Sequence, residues 1–416
     1  MARGIIKEIF KDQWEKFEAN NKVREVVSKE VKKMLKCRDL GEGYSEYLCP
    51  KCGERKYVAF TCKSRFCTSC GKKATDDWVE KLCQELFDVP HRHMVFTIPE
   101  KLRNVFMRDR KLLKELSDAA GETIISSLWE RSKKQKPTPG IVCAIHTFGR
   151  DLKWNPHVHA LVTEGVLRED KEWKVVDYFH YEMLRKRWQH ILLSKLKEKL
   201  PKTRETKRLV EEMYRGQKEG FYVHAKNRMS NAKGAAQYIG RYVSRPAIAE
   251  SRIESYDGQE VQFWYEQHQD GKRVEVKLPV LEFIGKLIRH IPERQFKMVR
   301  YYGLYARRRK KKSQQIMSIW KKYKRLKNKK IHWRERIKKS FGHDPLTCPK
   351  CGAEMILNDV VYKKYGSMLE RLKRRMDQAY EKEEKRLNEE YESQFPGRSV
   401  SMPRMWEERE NTRRCS

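Results

Sequence analysis

The chain has 416 residues, with 93 Lys and Arg against 57 Asp and Glu, a net charge of +36. With 39% hydrophobic residues it is too apolar for a disordered tail, and at about 100 to 200 residues per domain it holds several units. It has no apolar run of about 18 residues or more and no apolar signal core, so a cytoplasmic protein without a membrane partner is expected, and so large a positive charge calls for a polyanion, foremost nucleic acid.

Ile5, Ile6, Ile9, Phe10, Trp14 and Phe17, then Val23, Val26, Val27, Val31 and Met34, recur at helical spacing, so residues 1–36 are expected as an N-terminal helical segment. Residues 37–88 follow as a cysteine-rich domain ending in a helix from Asp76 to Phe87. From 89 to 305 strands and long helices alternate. His93–Ile98 reads as a strand, 100–132 as a helix closed by a Lys-Pro-Thr-Pro-Gly loop, Ile141–Phe148 and His157–Thr163 as strands, and Glu172–Val176 as the far arm of a hairpin. A helix over 181–199, a strand over Gly220–His224 and a helix from Lys233 to Arg245, stopped by Pro246, come next. Short strands turning at Asp257-Gly258 and Asp270-Gly271 surround a helix near 279–288. The fold class is α+β, a central antiparallel sheet flanked by helices.

Residues 306–358 form a basic segment. Between Arg307 and Lys339 stand seventeen Lys or Arg and one acid, Glu335, with Trp320, Tyr323 and Trp333 interleaved. So one-sided a run, opened by Arg307, Arg308, Arg309, Lys310, Lys311 and Lys312 and carrying rings that can stack on bases, reads as a DNA contact. Residues 359–416 include a stretch of alternating charge sign and are expected as a charged helical tail.

Eleven cysteines are unevenly spread. Cys49-Pro-Lys-Cys52 and Cys67-Thr-Ser-Cys70 are two C-x-x-C turns about fifteen residues apart, a zinc-ribbon spacing in which four thiolates close a structural Zn²⁺ site. Cys49, Cys52, Cys67 and Cys70 are the expected ligands, with Cys62 and Cys37 able to replace one or to form another site. Cys348-Pro-Lys-Cys351-Gly is a lone knuckle, a candidate half of a second zinc site, with His343 five residues upstream.

His157-Val158-His159 lies on an expected strand, where residues two apart share a face, so both imidazoles aim at one point. His146 on the preceding strand can come alongside as a third ligand for a catalytic divalent ion. Further on, Tyr238 and Tyr242 stand four apart on one helix face, with Arg241 and Arg245 repeating the spacing beside them. A free phenol is a poor nucleophile, but a phosphate held by a cation and arginines is a better electrophile.

In this order, these motifs resemble the HUH-endonuclease superfamily, and within it the two-tyrosine rolling-circle transposases of bacterial insertion sequences. Val95-Phe96-Thr97-Ile98-Pro99 is similar to the first family motif, His157-Val158-His159 to the metal motif, and Tyr238 with Tyr242 to the tyrosine helix. Cys37-Arg38, the knuckles and Arg65 resemble the N-terminal zinc-binding domain, and His290-Ile291-Pro292, Arg300-Tyr301-Tyr302-Gly303 and Asp344-Pro345-Leu346-Thr347-Cys348 the C-terminal part. Where relatives often carry His-Cys-Pro this chain has Phe66-Cys67-Thr68, which favours an all-cysteine site. The resemblance implies that Mg²⁺ or Mn²⁺ at the histidines positions a scissile phosphate of single-stranded DNA. One tyrosine then attacks to leave a 5′-phosphotyrosine and a free 3′-hydroxyl, and the second tyrosine serves a second cleavage. The implied partners are single-stranded transposon ends and target DNA, met at the bacterial nucleoid. The competing expectations are a non-catalytic zinc-ribbon DNA-binding protein and an HUH replication-initiation nuclease.

Overall fold

The computed structural model describes residues 4–129, 137–170, 172–176, 179–224, 228–240, 247–267, 270–309, 315 and 332–396. Two compact units emerge, one of residues 1–37 and 61–345, the other of residues 38–60 and 346–416. The expected boundaries at 37–88 and 359–416 do not coincide with them: residues 38–60 fold with the C-terminal segment, while 61–88 stay with the larger unit. Among the described residues no helix is long and apolar enough to cross a membrane.

The larger unit begins with two helices where one was expected, Ile5–Asn20 and Glu25–Leu35. Consecutive asparagines end the first, and Asn21 is extended at φ −135° and ψ 143°. Ile6, Ile9, Phe10, Trp14 and Phe17 bury one stripe of that helix against Phe263, Phe283 and Ile284. The helix expected over 100–132 is likewise divided, into Glu100–Arg108 and Leu113–Trp129, because the Asp109 carboxylate accepts from Lys111 N at 2.9 Å and caps a new turn. An unanticipated helix, Arg204–Gly216, is capped by Thr203 and buries Val210 and Met213.

The centre of this unit is an antiparallel sheet in the order Val299–Gly303, Thr138–Phe148, Trp154–Leu167, His91–Phe96, Val223–His224. Trp173–Val175 pairs with the end of the long Trp154–Leu167 strand, and Arg228–Met229 pairs with the start of His91–Phe96. Strict alternation separates the two faces. Met94, Phe96, Ile141, Cys143, Ile145, Val158, Ala160 and Val162 pack with the helices Leu113–Trp129 and Tyr181–Lys199 in one core. Val142, Ala144 and Leu161 point the other way, toward Leu82 and Leu86 of helix Thr68–Glu85 and Ala232, Ala235, Ala236 and Ile239 of helix Ala232–Gly240. A three-stranded meander, Ile253–Tyr256, Glu260–Glu266 and Arg273–Pro279, runs into helix Val280–Ile288.

In the smaller unit the order is Gly366–Ser367, Ile356–Tyr362, Gly43–Leu48, Arg55–Ala59, all antiparallel. Helix Met368–Gln394 follows, its first turn capped by the Ser367 hydroxyl, which accepts from Glu370 N at 3.0 Å.

Candidate active site

The sheet face turned toward helix Ala232–Gly240 is the one that carries the histidines. His146 is the direct cross-strand partner of His157, Ala144 that of His159, and Val95 lies across from His159 on the other side. Pro156 lacks an amide proton and sits where the Trp154–Leu167 strand has only one neighbour, beyond the reach of His91–Phe96. There the Asn155 carbonyl turns back to His157 Nδ1 at 2.6 Å.

Three ring nitrogens therefore converge. His157 Nε2 lies 3.0 Å from His159 Nε2 and 3.3 Å from His146 Nδ1. Cis ligands at about 2.1 Å from an octahedral ion are about 3.0 Å apart, so the spacing fits a single divalent cation. The outer nitrogens are held as metal-binding imidazoles need: His157 Nδ1 by Asn155 O, and His159 Nδ1 by His93 Nε2 at 2.9 Å. Burial pushes His146 and His159 well below the usual imidazole range, and their like neighbours push the same way, so both are neutral near pH 7, the form in which an imidazole binds a cation. Among the described residues no carboxylate joins the three.

Tyr238 belongs to helix Ala232–Gly240, and its ring packs edge-on against His93 at 4.8 Å between centroids. Asn231 starts this helix, its side chain accepting from Gly234 N at 2.8 Å. The other end is set by contact: a Cβ on Gly240 would stand 2.2 Å from Val79 Cγ2, so with Val79 in this rotamer a bare Cα lets the helix lie this close to helix Thr68–Glu85. Tyr242, Arg241 and Arg245 lie outside the described residues, as do Lys310, Lys311 and Lys312. Arg307–Arg309 form a short 3₁₀ turn, with Arg307 and Arg308 exposed.

The cysteines separate into two quartets, and the expected set Cys49, Cys52, Cys67 and Cys70 is divided between them. Cys67 and Cys70 meet Cys37 and Cys62 in the larger unit, with Cys37–Cys70, Cys62–Cys70 and Cys67–Cys37 sulfurs each 3.7 Å apart. Tetrahedral zinc with bonds of about 2.3 Å spaces its sulfurs by about 3.8 Å, so this all-cysteine set fits the ion. Cys67 is also the N-cap residue of helix Thr68–Glu85, the same helix that Gly240 touches. Cys49 and Cys52 lie in the smaller unit with Cys348 and Cys351, and exposed His343 belongs to neither group.

Sequence reasoning placed His93 on a strand and His290 in a motif but gave neither a place in the site. His93 could have been noticed from the His91-Arg92-His93 alternation, which repeats the pattern of His157-Val158-His159 one strand away. Burial brings the His93 pKa down to about 4, with His224 and His157 adding repulsion. His290 stacks on Trp154 at 5.9 Å, and Phe148 lies between it and His146, at 5.2 and 3.8 Å.

Residues 140–313 match a family described as putative transposase, and residues 9–98 match the transposase zinc-binding domain, so the class is transposase. The chain is 32% identical over 353 residues, 80% of its length and 84% of the relative's, to the transposase for insertion sequence element IS801 of Pseudomonas savastanoi pv. phaseolicola. It is 25% identical over 327 residues to putative transposase y4qJ of Sinorhizobium fredii, covering 74% of this chain and 82% of that one. No solved structure matches it. The chain belongs to the family of insertion-sequence transposases, with DNA as its substrate.

Proposed function

We propose that this transposase cuts and rejoins single-stranded DNA through a covalent tyrosine intermediate, in rolling-circle-type transposition. The observation that carries the reading is Tyr238 against His93, which in turn holds His159 of the histidine trio. A divalent ion held by His146, His157 and His159 would polarise the scissile phosphate and stabilise charge on its oxygens. Three imidazoles, joined by no carboxylate among the described residues, suit Mn²⁺ better than Mg²⁺, which prefers oxygen ligands. The Tyr238 oxygen attacks phosphorus, the 3′-oxygen leaves with a proton, and the tyrosine carries the 5′-phosphate. Since the phosphodiester is exchanged and not hydrolysed, a DNA 3′-hydroxyl reverses the step and joins strands. Tyr242 is assigned the second cleavage, and Arg241, Arg245 and the basic residues from Arg307 to Lys312 the DNA backbone. The Cys37, Cys62, Cys67 and Cys70 thiolates would hold a structural zinc that anchors helix Thr68–Glu85. Its place of action is then the cytoplasm, at the nucleoid.

The test is incubation of the full chain with labelled single-stranded DNA carrying its element ends, with Mn²⁺, Mg²⁺ or EDTA, resolved on a denaturing gel. A metal-dependent protein–DNA adduct is expected in the wild type, lost in a Tyr238→Phe/Tyr242→Phe double variant and weakened in His157→Ala. Tight binding with no adduct on DNA known to contain the ends would overturn the covalent mechanism.

A further inference from the structure

Cys49-Pro50-Lys51-Cys52-Gly53 and Cys348-Pro349-Lys350-Cys351-Gly352 are the same pentapeptide, placed almost 300 residues apart, and they fold alike. Gly53 and Gly352 take φ of +72° and +74°, a left-handed turn that favours glycine. In each, the glycine amide donates to the carbonyl of the first cysteine, at 3.0 Å in one and 3.1 Å in the other. The amide of that cysteine donates to the carbonyl five residues on, Glu54 at 2.9 Å and Ala353 at 2.8 Å. The two loops face each other across the pair formed by Gly43–Leu48 and Ile356–Tyr362.

Between them the sulfurs of Cys49 and Cys351 are 3.5 Å apart and those of Cys52 and Cys348 3.7 Å apart, and all four lie within 4.8 Å of one another. A disulfide would need about 2.05 Å, whereas a zinc tetrathiolate spaces its sulfurs by about 3.8 Å. The surrounding core is slight. Among the described residues only Cys49, Cys348 and Met355 are buried in this cluster, with Tyr47 and Ala353 beside them, while Ile356 and Leu357 remain more than half exposed. So little buried apolar surface does not hold a sheet built from two distant segments without a cross-link.

We propose that Cys49, Cys52, Cys348 and Cys351 form a second structural zinc site, distinct from the Cys37 quartet, which joins residues 38–60 to residues 346–367. The site takes up Zn²⁺ with loss of four thiol protons, giving a four-coordinate tetrathiolate with no open position for water, so its work is folding and not catalysis. It is independent of the tyrosine mechanism, because none of its ligands lies on the histidine-bearing sheet.

The purified full chain is assayed for zinc by inductively coupled plasma mass spectrometry, in parallel with limited trypsin digestion. Two equivalents per chain are expected in the wild type and one in Cys348→Ser or Cys351→Ser, with faster cleavage in 346–396. Cys351→His, which keeps a ligand, retains two equivalents. Cobalt substitution of the unaltered chain covers the case of variants that do not fold: two equivalents with tetrathiolate absorption are expected. A wild type holding a single zinc or cobalt equivalent, or a Cys348→Ser chain still holding two, would overturn the proposal.

Discussion

Replacing Gly240 by alanine adds one methyl group at the point where the Tyr238 helix meets Val79. The new Cβ would stand 2.2 Å from Val79 Cγ2, against about 3.5 to 4.0 Å for carbons at ease, so Val79 must turn its side chain or the helices part, by up to about 1.5 Å. Overpacking of this kind costs about 1 to 3 kcal/mol, and the better helix propensity of alanine returns up to about 1 kcal/mol, so the net loss of stability is small. Geometry suffers more. A nucleophile displaced by about 1 Å can lose about a hundredfold in rate, and we expect Gly240→Ala to slow adduct formation by about that factor while DNA affinity stays level. Single-turnover cleavage of labelled single-stranded DNA, read on a denaturing gel, gives the rate. Removing the opposing methyls should undo the clash, so Val79→Ala/Gly240→Ala is expected to recover most of it, a coupling that a double-mutant cycle measures directly. Wild-type cleavage by Gly240→Ala, or a double variant no faster than the single one, would refute the claim that this contact sets the position of Tyr238.

His93 holds His159 from behind, so His93→Ala should weaken Mn²⁺ binding by about 10 to 100-fold without abolishing it, measured by titration calorimetry, whereas His157→Ala should remove it; equal losses would contradict the assigned roles. Glu164 is buried and paired with Arg92 at 2.6 Å and Arg228 at 2.7 Å, so Glu164→Ala should cost about 3 kcal/mol or more in urea unfolding, and a loss under about 1 kcal/mol would count against the pair. Fully buried His91 is pushed by burial from its ordinary 6.5 down to about 4, so the unfolded chain binds the extra proton between those values. Stability supplied by the neutral ring is therefore full above about pH 6.5 and falls as the pH drops toward 4, by about 3 kcal/mol. His91→Gln, compared with wild type by denaturant melts across that range, should flatten this part of the pH profile.

What the sequence disclosed depended on whether the signal was local. His157-Val158-His159 was legible because strand alternation assigns faces within three residues, and the face it assigned is the one Tyr238 covers. Tyr238 was legible through its helix, although Tyr242 lies outside the described residues. The cysteine grouping was not legible: C-x-x-C spacing reveals a knuckle but not its partner, and the structure brings Cys49 and Cys52 to the distant Cys348 and Cys351. Asp109 and Asn21 broke helices whose apolar period ran on across them, since a side-chain cap or an extended backbone at one residue leaves periodicity on either side untouched. Gly240 carried no signal of its own, because its need for a bare Cα arises from Val79, 161 residues earlier on another helix.

The strand Gly43–Leu48 finds its outer neighbour, Ile356–Tyr362, only at the far end of the chain. At about 5 to 20 residues per second of synthesis, the early strand leaves the ribosome roughly 15 to 60 s before its partner. Through that interval its edge has no mate from its own chain, so chaperones or a neighbouring nascent copy meet it first. An element whose reading frame is broken between codons 304 and 345 would make a protein with the histidines and Tyr238 intact and this edge permanently open. Decayed copies of such an element would then be expected to surface as aggregates or degradation products, separating the loss of the protein in the cell from any loss of its chemistry.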